Sequence, residues 1–478
     1  MRKALIAMAL LFSLSVGGTG AVFARVNEQR DQVVLTEQVL FGDVSHAEGL
    51  AVTAKSHVDG HLHWDTTQII GAQPETKTDF RFTAEEEREY NFDYEPEGLR
   101  VLDLHDIIHY SGDWHERESG EGLSGLELAY WELFQQAQPG EENKEAVICI
   151  GDYYDYYPVE VSVQLLNYEF NSGSDAYYLA HNDAMESEMR RLAQALRDYL
   201  KIPVLQTETV WISVEKRENG QIGGRGYGSG DGDHFWMQTY NALTENGCYF
   251  ILSNRSADGV IMDFSQIPGG YGIHKIPFEL NSDRGVDRVD VEGISMVYPL
   301  AQDSQILWFT PEPDRDRLLL LTLEEERDYV LRVIDCDDMS TVQEILLASG
   351  EERGIHSYVC QDGYLVLRRA DNGLVVLEER DGLYETVIDI PLTEEEQITY
   401  GVGVTLWDGE KLAMAVGNQY EDRQNGDMCC FSAAVYDSTG ALFGAKYTSS
   451  LDIKNYDYYH SLSCRLVERD PISLAWRK

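Results

Sequence analysis

The chain has 478 residues, 43% of them hydrophobic, which is enough for a sizeable core and too many for a disordered polymer. Its 83 Asp and Glu outnumber 38 Lys and Arg, for a formal net charge of −45. That excess argues against nucleic acid as a partner, since phosphate recognition needs clustered cations, and it repels anionic lipid. Cations, basic proteins and neutral glycans remain as partner classes.

In chain order, Arg2 and Lys3 precede an uncharged apolar run over residues 4–24, ALIAMALLFSLSVGGTGAVFA. Val22-Phe23-Ala24 fits the small-residue site of a signal peptide cleaved near Ala24. The run is also long enough, at about 20 residues, to serve as a single membrane anchor. Its length favours the anchor, and both readings export residues 25–478. Contact with a membrane is expected through residues 4–24 only.

The next feature is HVDGHLHW, with His57, His61 and His63. A three-residue loop Val58-Asp59-Gly60 pairs His57 with His61 and gathers Leu50, Val52, Ala54, Leu62 and Trp64 on one face. All three imidazoles then share the other face, where a zinc or copper ion is a candidate ligand. The same register sets Lys55 opposite His63, on a polar face expected to be open to water. Further on, IIHYSGDWHERE brings His109, Asp113, His115 and Glu116 into one loop-like stretch, a frequency that so acidic a chain explains by chance.

Two segments have helical spacing. Ser124 and Glu127 make a capping-box pattern ahead of Leu126, Ala129, Tyr130, Leu133 and Ala137, predicting a helix near 124–137. Asp183 and Glu186 do the same ahead of Met185, Met189, Leu192, Leu196 and Leu200, predicting a second near 184–201. Between them, GDYYDYYPVE carries Tyr153, Tyr154, Tyr156 and Tyr157, a candidate aromatic platform for a glycan or peptide. The alternative is alternation of core and surface positions in a strand.

GGRGYGSGDGDHFW leads into strands, not a helix, which argues against a dinucleotide site. Asp231 and Asp233 are candidate ligands for a divalent cation, although their spacing fails the EF-hand pattern. Ser229, Asp231 and Trp236 faintly resemble the aspartate-box turn of sialidase-like propellers. From about residue 233 short strands follow one another, with QDG, DNG and RDG at turns that predict hairpins. Three acidic echoes, TAEEEREY from Thr83, TLEEERDY from Thr322 and LTEEEQITY from Leu392, read as solvated or single helical turns. The seven cysteines are odd in number and lack a CxxC spacing, so they read as small buried hydrophobes.

Units of roughly 40–50 residues with about four short strands each resemble β-propeller blades. The resemblance is one of fold, centred on residues 233–478, without a diagnostic repeat motif. The expected fold is mostly β, a propeller-like array of short antiparallel sheets with two amphipathic helices in the N-terminal half; tandem β-sandwich domains are the alternative. The expected division is 1–24 as signal or anchor, 31–230 as a β-rich region with the helices, and 231–478 as the propeller-like domain. No GxSxG elbow, HExxH helix or P-loop occurs, so no catalytic residue and no cofactor beyond a divalent cation is assigned. The expected function is ligand binding, sensing or scaffolding outside the cytoplasm, with a cell-envelope protein or glycan as partner. The runner-up is a carbohydrate-active hydrolase using a carboxylate pair in a propeller mouth.

Overall fold

Turn chemistry sets many of the strand boundaries. Arg380 pairs with Leu383 across Asp381 and Gly382, whose φ values of 52° and 88° make the left-handed pair a two-residue hairpin requires. Asp43, Asp263 and Asp338 each accept the amide of the serine two residues on, at 2.8 Å. The serine hydroxyl and amide hold all three carboxyls below their ordinary range. The acidic echoes separate structurally. TLEEERDY closes a hairpin through Glu325 and Glu326, both left-handed, whereas LTEEEQITY forms a single 3-10 turn with a Thr393–Glu396 capping box.

The structure is a computed structural model that describes residues 12–21, 24, 33–58, 61–83, 98–102, 119–123, 125–157, 160–165, 168–171, 183–229, 238–256, 259–281, 285–313, 315–350, 354–361, 363–399, 401–417, 430–451, 465–466 and 471–477. Among them are seven antiparallel sheets of three to five strands, a propeller-like all-β array of the kind the sequence predicts. They fall into two compact units, residues 1–92 with 352–478, and residues 93–351. This differs from the linear division into 31–230 and 231–478. The reason is pairing between distant segments: Leu35–Gly42 completes the sheet of Val404–Trp407, Leu412–Gly417, Cys430–Asp437 and Gly440–Ser449. Likewise Arg465–Leu466 and Ile472–Trp476 both pair with Leu50–Val58.

In the first unit three sheets pack in layers. Val366, Leu374, Val376 and Ile388 of the sheet built from Ile355–Gln361, Tyr364–Arg369, Gly373–Arg380 and Leu383–Pro391 meet Leu412, Met414, Ala434 and Tyr436. The opposite face of that middle sheet, through Phe431, Ala433, Val435, Phe443 and Tyr447, meets Leu50, Val52 and Ala54. A sheet buried on both faces reads as a continuous apolar run, and Cys430–Asp437 is buried at every position but its last. A two-sheet sandwich gives each sheet one solvated face, so this layering favours stacked blades over the sandwich alternative.

The second unit holds the two helices. Helix α1 (Gly125–Gln136) buries Leu126, Ala129, Tyr130 and Leu133 against a sheet of Glu141–Cys149, Thr209–Lys216 and Ile222–Ser229. Lys216 donates to the Phe134 carbonyl at 3.1 Å and lies 4.5 Å over its ring, capping the C-terminus. Helix α2 (Asp183–Tyr199) buries Leu192 and Leu196 in the same core, with Leu200 just beyond its end. Both helices fall within two residues of their expected ends. Residues 12–21 are helical and exposed, and among the described residues no helix is long and apolar enough to cross a membrane.

Candidate functional site

The histidine hairpin joins Leu50–Val58 to Leu62–Ile69. Val58 pairs with Leu62 and His57 with His63, so the register lies two residues from the expected one. A two-residue slip leaves every side chain on its face, so hydrophobic alternation does not distinguish the registers. Cross-strand chemistry does. The observed register sets Lys55 opposite Asp65, not His63, and brings the Thr53 and Thr67 hydroxyls to 2.7 Å.

The face is also drier than its polar residues imply. His57 and His63 are only 3% and 5% exposed, which corrects the expectation of a solvent-facing hairpin. Their rings lie 6.0 Å apart and 17° from parallel. His57 pairs with Arg465 on its other side, and His63 with Arg81, so two imidazoles sit in a row between two arginine positions. His61 goes elsewhere: its Nδ1 is 3.0 Å from the Thr83 carbonyl oxygen and its ring lies against Phe82. One zinc needs nitrogens about 2.0–2.1 Å from a single point, whereas stacked rings present faces to one another. Among the described residues no group of three His, Cys, Asp or Glu is arranged to hold a metal. Asp231 and Asp233 lie outside the described residues, as does the stretch 107–118.

The four tyrosines are dispersed, and three of their hydroxyls have structural partners. Tyr154 accepts the Leu126 amide at 2.8 Å, capping the first turn of α1 beside Gly125, whose φ is +56°. A Cβ at Gly125 would run into the Tyr154 ring, so sequence GLE at the helix start fits only with glycine. Tyr153 donates to Glu132 at 3.0 Å, and burial pushes its hydroxyl up to about 12. Tyr157 is buried, donates to Glu208 and accepts the Leu205 amide at 3.2 Å. Only Tyr156, 39% exposed, faces outward.

Sequence reading missed Glu208, a carboxylate only 2% exposed, because one Glu among so many carries no local signal. Its pairing with Tyr157 arises in space from residues 51 positions apart. Tyr157→Phe removes that donor, and the expected cost is about 1–3 kcal/mol in a urea melt. An unchanged midpoint would remove the structural role assigned to the pair. Among the described residues a second well-buried carboxylate, Glu312, lies 3.9 Å from Arg317. His274, only 2% exposed, is a second missed group: it stacks on Phe250 at 5.4 Å, and its Nδ1 lies 2.9 Å from the Tyr199 hydroxyl. The cysteines at 149, 248, 336, 360 and 430 are thiols, and burial pushes Cys336 up to about 12, so it behaves as a packed apolar group.

No family model matches the chain, and no curated protein does. Solved structures similar to it include Saccharomyces cerevisiae Dbp5 bound to Nup159 and Gle1, at 11% identity and a TM-score of 0.24, covering 54% of this chain and 59% of that one. The β-propeller domain of Myceliophteria thermophila Cps50 (Swd1) matches at 9% identity and a TM-score of 0.24, covering 50% and 80%. A 6-phosphogluconolactonase candidate from Bacteroides fragilis matches at 10% identity and a TM-score of 0.29, covering 86% and 97%. The chain spans 59% of the length of the yeast chain it matches. At these scores the likenesses stand as similarities only, and the propeller-like description rests on the sheets themselves.

Proposed function

We propose that this is a binding or scaffolding protein of the cell envelope, exported through residues 4–24 and acting outside the cytoplasm without chemistry of its own. The observation that carries the reading is where the chemical groups are employed. Tyr153, Tyr154 and Tyr157, with Glu132 and Glu208, hydrogen-bond within the fold, and Asp43, Asp263 and Asp338 fasten turns. Stacked small sheets leave turns and edge strands as the surface through which such a protein meets a partner. A net charge of −45 directs that surface towards basic proteins or neutral glycans and away from nucleic acid.

Cell fractionation with N-terminal sequencing tests the proposal. Export gives either an intact Met1 in the membrane fraction or a new terminus near residue 25 outside the cell. Recovery of the intact chain in the cytoplasm would overturn it.

A further inference from the structure

Among the described residues Arg368 is the largest side chain buried almost completely, at 1% exposure. It follows Tyr364 and Val366 on the face of Tyr364–Arg369 that packs against the middle sheet of the first unit, and it pairs across the strand with Leu374. One terminal nitrogen donates to Gln397 Oε1 at 3.0 Å and the other reaches the Asn372 carbonyl at 3.5 Å. Both acceptors are neutral. The neighbouring carboxylate, Asp371, instead takes Arg369 Nε at 3.1 Å and the Gly373 amide at 3.0 Å. Nε of Arg368 is buried without a hydrogen-bond partner.

Directly across the strand pair from Arg368 stands Ser357, whose buried hydroxyl also lacks a partner. Gly401 lies beside it, close enough that a Cβ there would be 3.5 Å from the hydroxyl. Two unused donors on directly opposed residues of one face, one of them on a cation, describe a place for an acceptor that carries negative charge. Keeping a guanidinium dry with its Nε unpartnered is costly: burial depresses the Arg368 pKa, and the nearby charge of Asp371, which makes no hydrogen bond to it, offsets this only in part. Leu374, Val376 and Tyr436 line the same seam, which favours a small, weakly hydrated ion over a bulky oxyanion. The protein's overall charge works against anion capture at long range, so the affinity has to come from these local contacts.

We propose that Arg368 and Ser357 form a binding site for a single halide ion, which accepts from Arg368 Nε and the Ser357 hydroxyl in the seam between the two sheets. The test uses the purified full chain in sodium salts of fixed ionic strength, with gluconate exchanged for chloride or bromide. The melting temperature should rise with halide by about 2 °C per tenfold concentration, as expected for a ligand bound only by the folded state. Arg368→Met should abolish that dependence, and Ser357→Ala, which keeps the guanidinium, should weaken it. Crystals grown in bromide should give an anomalous peak within hydrogen-bonding distance of Arg368 Nε. A peak without anomalous signal there, an ordered water, would overturn the proposal. So would a melting temperature insensitive to halide, or a halide response that Ser357→Ala leaves intact.

Discussion

Phe431→Ala is expected to destabilise the first unit by about 3–5 kcal/mol, the range for deleting a fully buried aromatic ring. Phe431 is fully buried and stacks on Tyr447 with ring centres 5.0 Å apart. Tyr447 in turn donates to Glu37 at 2.7 Å, which lies on the strand Leu35–Gly42. Removing the ring therefore opens a cavity and loosens the contact that fastens that strand. Burial and the Glu37 carboxylate both push the Tyr447 pKa upward, so its hydroxyl stays a proton donor through the ordinary pH range. Phe431→Leu, which keeps most of the volume, should cost far less. Denaturant melts of the three proteins check this, and a loss under 1 kcal/mol for the alanine variant would contradict the double-sided burial of the middle sheet.

Stability should also fall steeply as the pH drops from about 6.5 towards 4. Burial lowers the His274 pKa from its ordinary 6.5 to about 4, only partly offset by a hydrogen bond to the Gly270 backbone. Between those values the unfolded chain binds a proton that the folded chain refuses. Stability from this group is therefore complete above pH 6.5 and lost progressively on acidification. The size is about 3 kcal/mol across the window, reduced by whatever relaxation the site allows. Asp43, Asp263 and Asp338 act in the same direction lower down, below the ordinary carboxylate pKa. Urea melts between pH 7.5 and 4.5 on the wild type and His274→Gln separate the contributions. The variant should lose the upper part of the slope, and parallel curves would show that His274 is not its source.

The sequence made the local elements legible and left the spatial ones hidden. Both helices follow from apolar spacing; Tyr154 caps the first turn of α1 beside Gly125, and Ser124 of the expected capping box lies outside the described residues. The RDG hairpin forms as expected, because Asp and Gly tolerate the left-handed region. The histidine hairpin has the expected faces and a different register, since a period of two is blind to a slip of two. Its burial was not legible, because alternation says which side chains share a face and nothing about what covers that face. Glu208, His274 and Arg368 escaped notice for a related reason. Each is made unusual by distant neighbours: Glu208 by Tyr157, His274 by Tyr199 and Phe250, and Arg368 by Gln397 and Ser357.

The pairing of distant strands also orders assembly in time. The Val34 amide donates to Ser450 Oγ across 416 residues, and Leu50 pairs with Trp476. A ribosome delivers the chain from its N-terminus, so Leu35–Gly42 and Leu50–Val58 wait for partners made near the end of synthesis. Residues 93–351 close their sheets among themselves in the interval. Closing so long a loop adds little to the equilibrium cost, which grows only with the logarithm of length, but it slows the search. Until then, strands rich in Val, Leu and Phe have open edges, and a net charge of −45 opposes their pairing with other copies of the chain.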